Sequence, residues 1–283
     1  MPSTLSVQDL DVFIEGQGPT VVMLHGWPDS PALWDETVAA LSDGYRCVRF
    51  ALPGFDLARP PRPVSVDQMC ELVGAVVDAV SPDEPVTLLL HDWGCFFGYE
   101  YAARHSPRVS RVVGVDIGDT NSGAYLKGLS GKEKLLIAGY QVWLAAAWKL
   151  GSILPGLADR MTRFMARKIG CRTAPERIGW QMNYPYAMQW LGSFGGLRGV
   201  ARVDNVFGPR IPTLFTFGKR KPFMFHSSRW LAQLANTPGS AAQGFEAGHW
   251  LMRQKPAEFT TVVRSWLDQS RTNERASRAE AVA

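Results

Sequence analysis

Short apolar runs alternate along the chain with longer stretches in which apolar residues recur every three or four positions. Runs of the first kind, at 11–14, 20–24, 47–51, 86–90, 112–116, 213–217 and 243–247, predict seven strands, enough for one sheet. Stretches of the second kind, at 32–41, 66–80, 94–104, 229–235 and 256–267, predict helices, each following a strand or its loop. Two of the strand runs are rich in β-branched residues and poor in charge, as strands buried on both faces should be. The alternation is that of an α/β sheet flanked by helices. It stops between 119 and 210, where helical periodicity and aromatic-rich turns contain no strand-like run. The expected organisation is therefore an α/β core from 1–118 and 211–267 with an inserted helical domain at 119–210. From 268 to 283 the sequence DQSRTNERASRAEAVA has nothing to bury and predicts a disordered tail.

Composition narrows the function more than the fold. With 283 residues, 46% hydrophobic and 20% charged, the chain is long and apolar enough for one large core. Its net charge of +4 is too small and too scattered to argue for nucleic acid. Cys47, Cys70, Cys95 and Cys171 form no CxxC pair and read as reduced thiols. The first residues lack a basic region followed by an apolar core, so a cytoplasmic protein is expected. The stretch 135–154 is mostly apolar and about long enough to span a bilayer. Gln141, Lys149 and Pro155 argue against that, and it is read as helices packed over a protein core, with a helix pair that also touches lipid as the alternative. Five histidines without metal-ligand spacing, and no Gly-rich phosphate loop, lead to the expectation of no metal and no cofactor.

Three segments carry the chemistry. In LLLHDWGCFFGY, 88–99, an apolar strand runs into Asp92-Trp93-Gly94 and then a helix, the form of a nucleophile elbow. The plainer reading is an Asp capping an ordinary helix, and Leu90 is bulkier than the glycine usual on the strand side. VVMLHGWPDSPALW, 21–34, places a His-Gly turn after an early strand, where the backbone N–H of Trp27 can join that of Trp93 as an oxyanion hole. GFEAGHWLMRQKPAEF sets His249 in a Gly-containing turn after the last strand, so the nucleophile precedes the histidine as this fold requires.

With HGWP, HDWG, AGHW and LPGFDLARP in place, the sequence resembles the α/β-hydrolase superfamily, and within it the aspartate-nucleophile branch of epoxide hydrolases and haloalkane dehalogenases. The resemblance covers roughly residues 8–267. It implies a mostly parallel central sheet, a helical cap at 119–210, Asp92 as nucleophile and His249 as base. A carboxylate suits an sp³ carbon, which it displaces in line to leave an alkyl ester for His249-activated water to hydrolyse. No Ser occupies the corner, which disfavours carboxylic-ester hydrolysis through a serine.

The third triad member departs from the commonest family pattern, because the position after the strand 213–217 that usually holds an acid is Lys221. A cation there cannot accept the Nδ1 proton of His249, and it favours a catalytically silent small-molecule binder. The rival source is the end of the preceding strand, which offers Asp116, with Asp119 as alternative. Related epoxide hydrolases donate to the leaving alkoxide from two cap tyrosines. The resemblance of GYQVWL nominates Tyr140 for the first, and MNYPYAMQW offers Tyr184 and Tyr186 for the second. A dehalogenase would instead hold halide on indole N–H groups, for which Trp93, Trp27, Trp143, Trp148, Trp180 and Trp190 are candidates. The expected activity is hydrolysis of a hydrophobic epoxide, with water as the second substrate. Haloalkane dehalogenation by the same two steps, or silent binding, are the alternatives.

Overall fold

The computed structural model describes residues 2–197, 200 and 211–282, with side chains to 269. Eight strands form one sheet in the order β1-β2-β4-β3-β5-β6-β7-β8. They are β1 Ser3–Val7, β2 Leu10–Glu15, β3 Thr20–Leu24, β4 Arg46–Phe50, β5 Val86–His91, β6 Val109–Val115, β7 Thr213–Gly218 and β8 Ala241–Phe245. β1 pairs antiparallel with β2 and β2 with β4, while every pairing from β4 to β8 is parallel. Parallel strands need crossovers over a face of the sheet, and the predicted helices supply them.

β1 has no counterpart in the apolar pattern because it buries almost nothing: four of its five residues are exposed, and beyond its ladder with β2 only Val7 packs against the core. β2 alternates buried and exposed positions, whereas β3 and β5 are buried throughout. Period-two alternation sorts β3 between two cores, with Val22 and Leu24 on one face and Val21 and Met23 on the other. On the first face packs α2 (Val66–Val80), begun by a reciprocal Ser65–Gln68 capping box, beside α3 (Trp93–Arg104). On the second pack α1 (Asp35–Leu41) and the last helix. β8 begins and ends two residues before its predicted position, since 246–248 turns back so that Lys219 and Arg220 donate to the carbonyls of Phe245 and Ala247.

Between β6 and β7 the chain forms a helical insertion of α4 (Gly123–Gly128), α5 (Gly131–Gly151), α6 (Pro155–Lys168) and α7 (Tyr184–Leu191). Ser122 and Ser130 cap α4 and α5, and α5 buries only Leu144, Ala145, Ala147 and Gly151. Asp119 fixes the start of the insertion to the core. Its carboxylate accepts from the Ser122 hydroxyl and from the N–H and hydroxyl of Ser227, at 2.6 to 2.7 Å, and Ser227 in turn caps α8 (Ser228–Ala235). The expected end of the insertion at Arg210 lies outside the described residues. After α9 (Leu251–Gln254), α10 spans Pro256–Val282, so the backbone is helical where composition predicts a disordered tail. Ala283, the end of that tail, lies outside the described residues.

Candidate active site

β5 delivers Asp92 to the corner before α3 with φ 52° and ψ −123°, a strained conformation for a residue with a side chain. The loop after β3 lies flush against this corner: a Cβ on Gly26 would sit 2.5 Å from Asp92 Oδ1 and from the Trp93 nitrogen. Only glycine permits that approach, and it brings the Trp27 N–H to Asp92 Oδ1 at 2.6 Å. The Trp93 N–H donates to the same carboxylate. The bulk of Leu90 is accommodated by Gly98, where a Cβ would lie 2.3 Å from Leu90 Cδ2. Burial pushes the Asp92 carboxyl up, but the hydrogen bond and charge of His249 outweigh it and hold Asp92 below the ordinary carboxylate range.

His249 stands between two carboxylates, with Nε2 3.5 Å from Asp92 Oδ2 and Nδ1 2.6 Å from Asp116 Oδ2. Of the two acids left open by the sequence, Asp116 is the one beside His249, and Asp119 spends its oxygens on Ser122 and Ser227. Asp116 follows β6 with φ 69° and is fully buried. Its other oxygen, Oδ1, accepts from the Gly218 N–H at 2.9 Å and from Lys221 Nζ. Lys221, read from sequence as opposing the histidine, therefore grips the back of its partner. A carboxylate has two oxygens, and the strand ends give one to each neighbour. Burial raises the Asp116 carboxyl, but the Lys221 charge and the His249 hydrogen bond bring it down to about 2. Burial lowers His249, yet its bonds to Asp116 and Asp92 carry it up to about 9. His91 lies against the His249 ring, centroids 4.5 Å apart, and burial holds it neutral with a pKa lowered to about 3.

A cavity of about 550 Å³ opens from Asp92 and Trp93 toward the insertion and is lined by Phe96, Tyr125, Tyr140 and Tyr186 among others. The Tyr186 ring meets Trp93 and Trp27 edge-on at 5.3 and 5.7 Å and Tyr140 at 6.2 Å. Burial and the Asp92 charge raise the Tyr186 phenol well above its usual range, and burial raises Tyr140 too. The Tyr140 oxygen accepts from Gln141 Nε2 at 3.1 Å and the Tyr186 oxygen from the Trp93 indole, leaving both O–H groups to donate. Tyr184 does not line the cavity: its ring is fully buried among Phe55, Trp148 and Phe194. Two residues apart on a helix point about 200° apart, so only one of the pair can face the site.

The indoles considered as halide donors are hydrogen-bonded elsewhere or lie away from the cavity. Trp27 donates to Asn183 at 2.7 Å, Trp143 to the Met161 carbonyl and Trp190 to Gln141, while Trp148 and Trp180 pack on each other. The sequence reading did not single out Asn183, or Phe225, whose ring lies 5.7 Å from that of His249 and lines the cavity. The run KPFMF gives no periodic signal that would have marked Phe225. Among the described residues no cluster of His, Cys, Asp and Glu could hold a metal ion.

Residues 19–256 match the family model described as alpha/beta hydrolase fold. Epoxide hydrolase B of Mycobacterium tuberculosis is 35% identical over 104 residues, covering 36% of this chain and 29% of that protein. Another mycobacterial relative is 42% identical over 111 residues, but the chain spans only 19% of its length. The cis-3-alkyl-4-alkyloxetan-2-one decarboxylase of Shewanella oneidensis is 25% identical over 281 residues, covering 91% of this chain and 85% of that one. Among solved structures, an epoxide hydrolase variant from Bacillus megaterium with its diol product superposes with a TM-score of 0.70 at 19% identity, covering 94% of this chain and all of that one. At that identity the likeness is one of fold.

Proposed function

The chain belongs to the alpha/beta hydrolase fold family, and on that premise we propose that it is a hydrolase that opens a hydrophobic epoxide to a diol through an ester on Asp92. The observation that carries this reading is that one apolar cavity holds a partly buried carboxylate and two phenols whose O–H groups are free to donate. In this reading the helical insertion is the cap that closes over them.

Asp92 Oδ2, the oxygen not held by Trp27, attacks a ring carbon in line. The carbon–oxygen bond breaks, and the alkoxide takes a proton from Tyr140 or Tyr186, since an alkoxide is too basic to leave unaided. Esterification removes the Asp92 charge, one of the two anions that raise His249. The imidazolium then gives up its proton, which restores the phenolate to a phenol, and neutral His249 becomes the base. It deprotonates water, the hydroxide adds to the Asp92 carbonyl carbon, and the Trp27 and Trp93 N–H groups stabilise the oxyanion. Collapse releases the diol and restores Asp92, and Asp116 holds the ring through Nδ1 in both protonation states.

The bonds and positions of the indoles argue against halide as the leaving group. A second reading is favoured by the decarboxylase that aligns over 91% of the chain: an oxetan-2-one is also a strained oxygen ring that a carboxylate can open. The test mixes His249→Gln with styrene oxide and weighs the intact protein. A mass gain equal to the epoxide, lost in Asp92→Asn/His249→Gln, is expected. A variant that binds substrate without gaining mass rejects the ester, and loss of CO₂ from a disubstituted oxetan-2-one without epoxide turnover promotes the second reading.

A further inference from the structure

Large hydrophobic side chains are exposed very unevenly in this protein. Of fourteen among the described residues, twelve belong to the insertion, including Leu135 at 74% and Ile153 at 75% exposure. On α5 they follow helical spacing, with Leu135, Leu136, Val142 and Trp143 on the side opposite Lys134, Ile137 and Gln141. On α6, Phe164 continues the face and lies 5.9 Å from the Trp143 ring, whose indole N–H is satisfied by Met161, so the rest of that ring presents apolar surface. Scattered exposed apolar residues need no explanation, but a cluster that runs about 12 Å along α5 and continues onto α6 does.

Charge identifies what would cover it. Between 123 and 197 the chain carries ten Lys and Arg against three Asp and Glu, whereas the remainder of the protein is net negative by three. A second copy of the chain would bring like charges together on this face, and a neutral apolar partner would gain nothing from the cations. Apolar side chains flanked by lysine and arginine match an anionic bilayer surface, where the stems bury and the charges meet lipid phosphates. No helix among the described residues is long and apolar enough to cross a membrane, so the geometry is that of a face lying on one. α5 lines the catalytic cavity with Lys134, Ile137 and Gln141, on the side turned away from the stripe, which leaves the stripe outside the cavity.

From the stripe and its charge we infer that the outer face of α5 and α6 docks on an anionic lipid surface and draws its substrate from it. The substrate class this adds, resting on the epoxide reading, is an epoxide carried on an amphiphile dissolved in the bilayer.

Docking is tested apart from turnover, by co-sedimenting the full chain with vesicles of phosphatidylcholine alone and of phosphatidylcholine with phosphatidylglycerol. Binding is expected with the anionic vesicles and should weaken as salt is raised. Leu135→Gln with Phe164→Gln should weaken it by about tenfold, and Lys132→Ala and Lys168→Ala by about fivefold each. Hydrolysis of a dissolved epoxide should stay unchanged in all four substitutions, since none lies in the catalytic machinery. Failure to bind, equal binding to both vesicles, or binding indifferent to these substitutions overturns the proposal. Self-association that Leu135→Gln abolishes would overturn it in favour of a homomeric interface.

Discussion

The sheet and the helical insertion hold their polar groups in opposite ways. At the strand ends each reactive carboxylate is fixed by backbone donors, Asp92 by Trp27 and Trp93 and Asp116 by Gly218, with Lys221 and His249 completing the shell. In the insertion, Tyr140 and Tyr186 are placed by ring contacts and by one side-chain donor each. A backbone hydrogen bond at a strand end cannot shift without disturbing the sheet, whereas a ring edge can slide. The contrast suits the work proposed for each: the ester forms and hydrolyses on groups fixed within tenths of an ångström, while donors to a substrate oxygen tolerate substrates of different width.

The comparison breaks most severely at Asp116. Asp116→Asn keeps the shape but removes the buried anion that stabilises imidazolium, and ester hydrolysis should fall by about 10⁴ with a smaller loss in alkylation. Quenched single-turnover assays separate the steps, and normal hydrolysis in the variant would show that Asp116 does not orient His249. The insertion side is milder. Tyr140→Phe and Tyr186→Phe should each slow alkylation about tenfold to a hundredfold, while Tyr184→Phe should leave it unchanged. Equal effects at Tyr184 and Tyr186 would remove the distinction between them. The smallest effect is expected at Lys221. Lys221→Met leaves Asp116 more negative toward His249, which raises the histidine pKa. Hydrolysis requires neutral His249, so its rate climbs with pH through that pKa, and the climb should move about one unit toward higher pH. An unmoved profile would make Lys221 a packing residue.

What could be read from the sequence follows the same division. Runs buried on both faces were visible as strands, and the elbow, the His-Gly turn and His249 announced themselves because each combines a special backbone with a special side chain. β1 escaped because an edge strand with four exposed residues has no hydrophobic signature. Lys221 was misjudged for a different reason: position in the chain reveals which strand end a residue occupies but not which oxygen of a shared carboxylate it meets. The insertion was legible as helices and illegible in detail, since Tyr184 and Tyr186 differ only in helical phase and the Trp27 indole is committed to Asn183, 156 residues away.

The close approach of Gly98 to Leu90 bears on how this elbow could have arisen and how it can change. The usual small residue on the strand side has here been exchanged for a large one, with the space supplied by the helix. Along any line of descent the two positions are then bound to one another. A drift to alanine at 98 is tolerated only once 90 has become small, and a leucine at 90 is open only to lineages already carrying glycine at 98. The pair should therefore be inherited together, and relatives with this nucleophile corner should not combine a leucine at 90 with a side chain at 98.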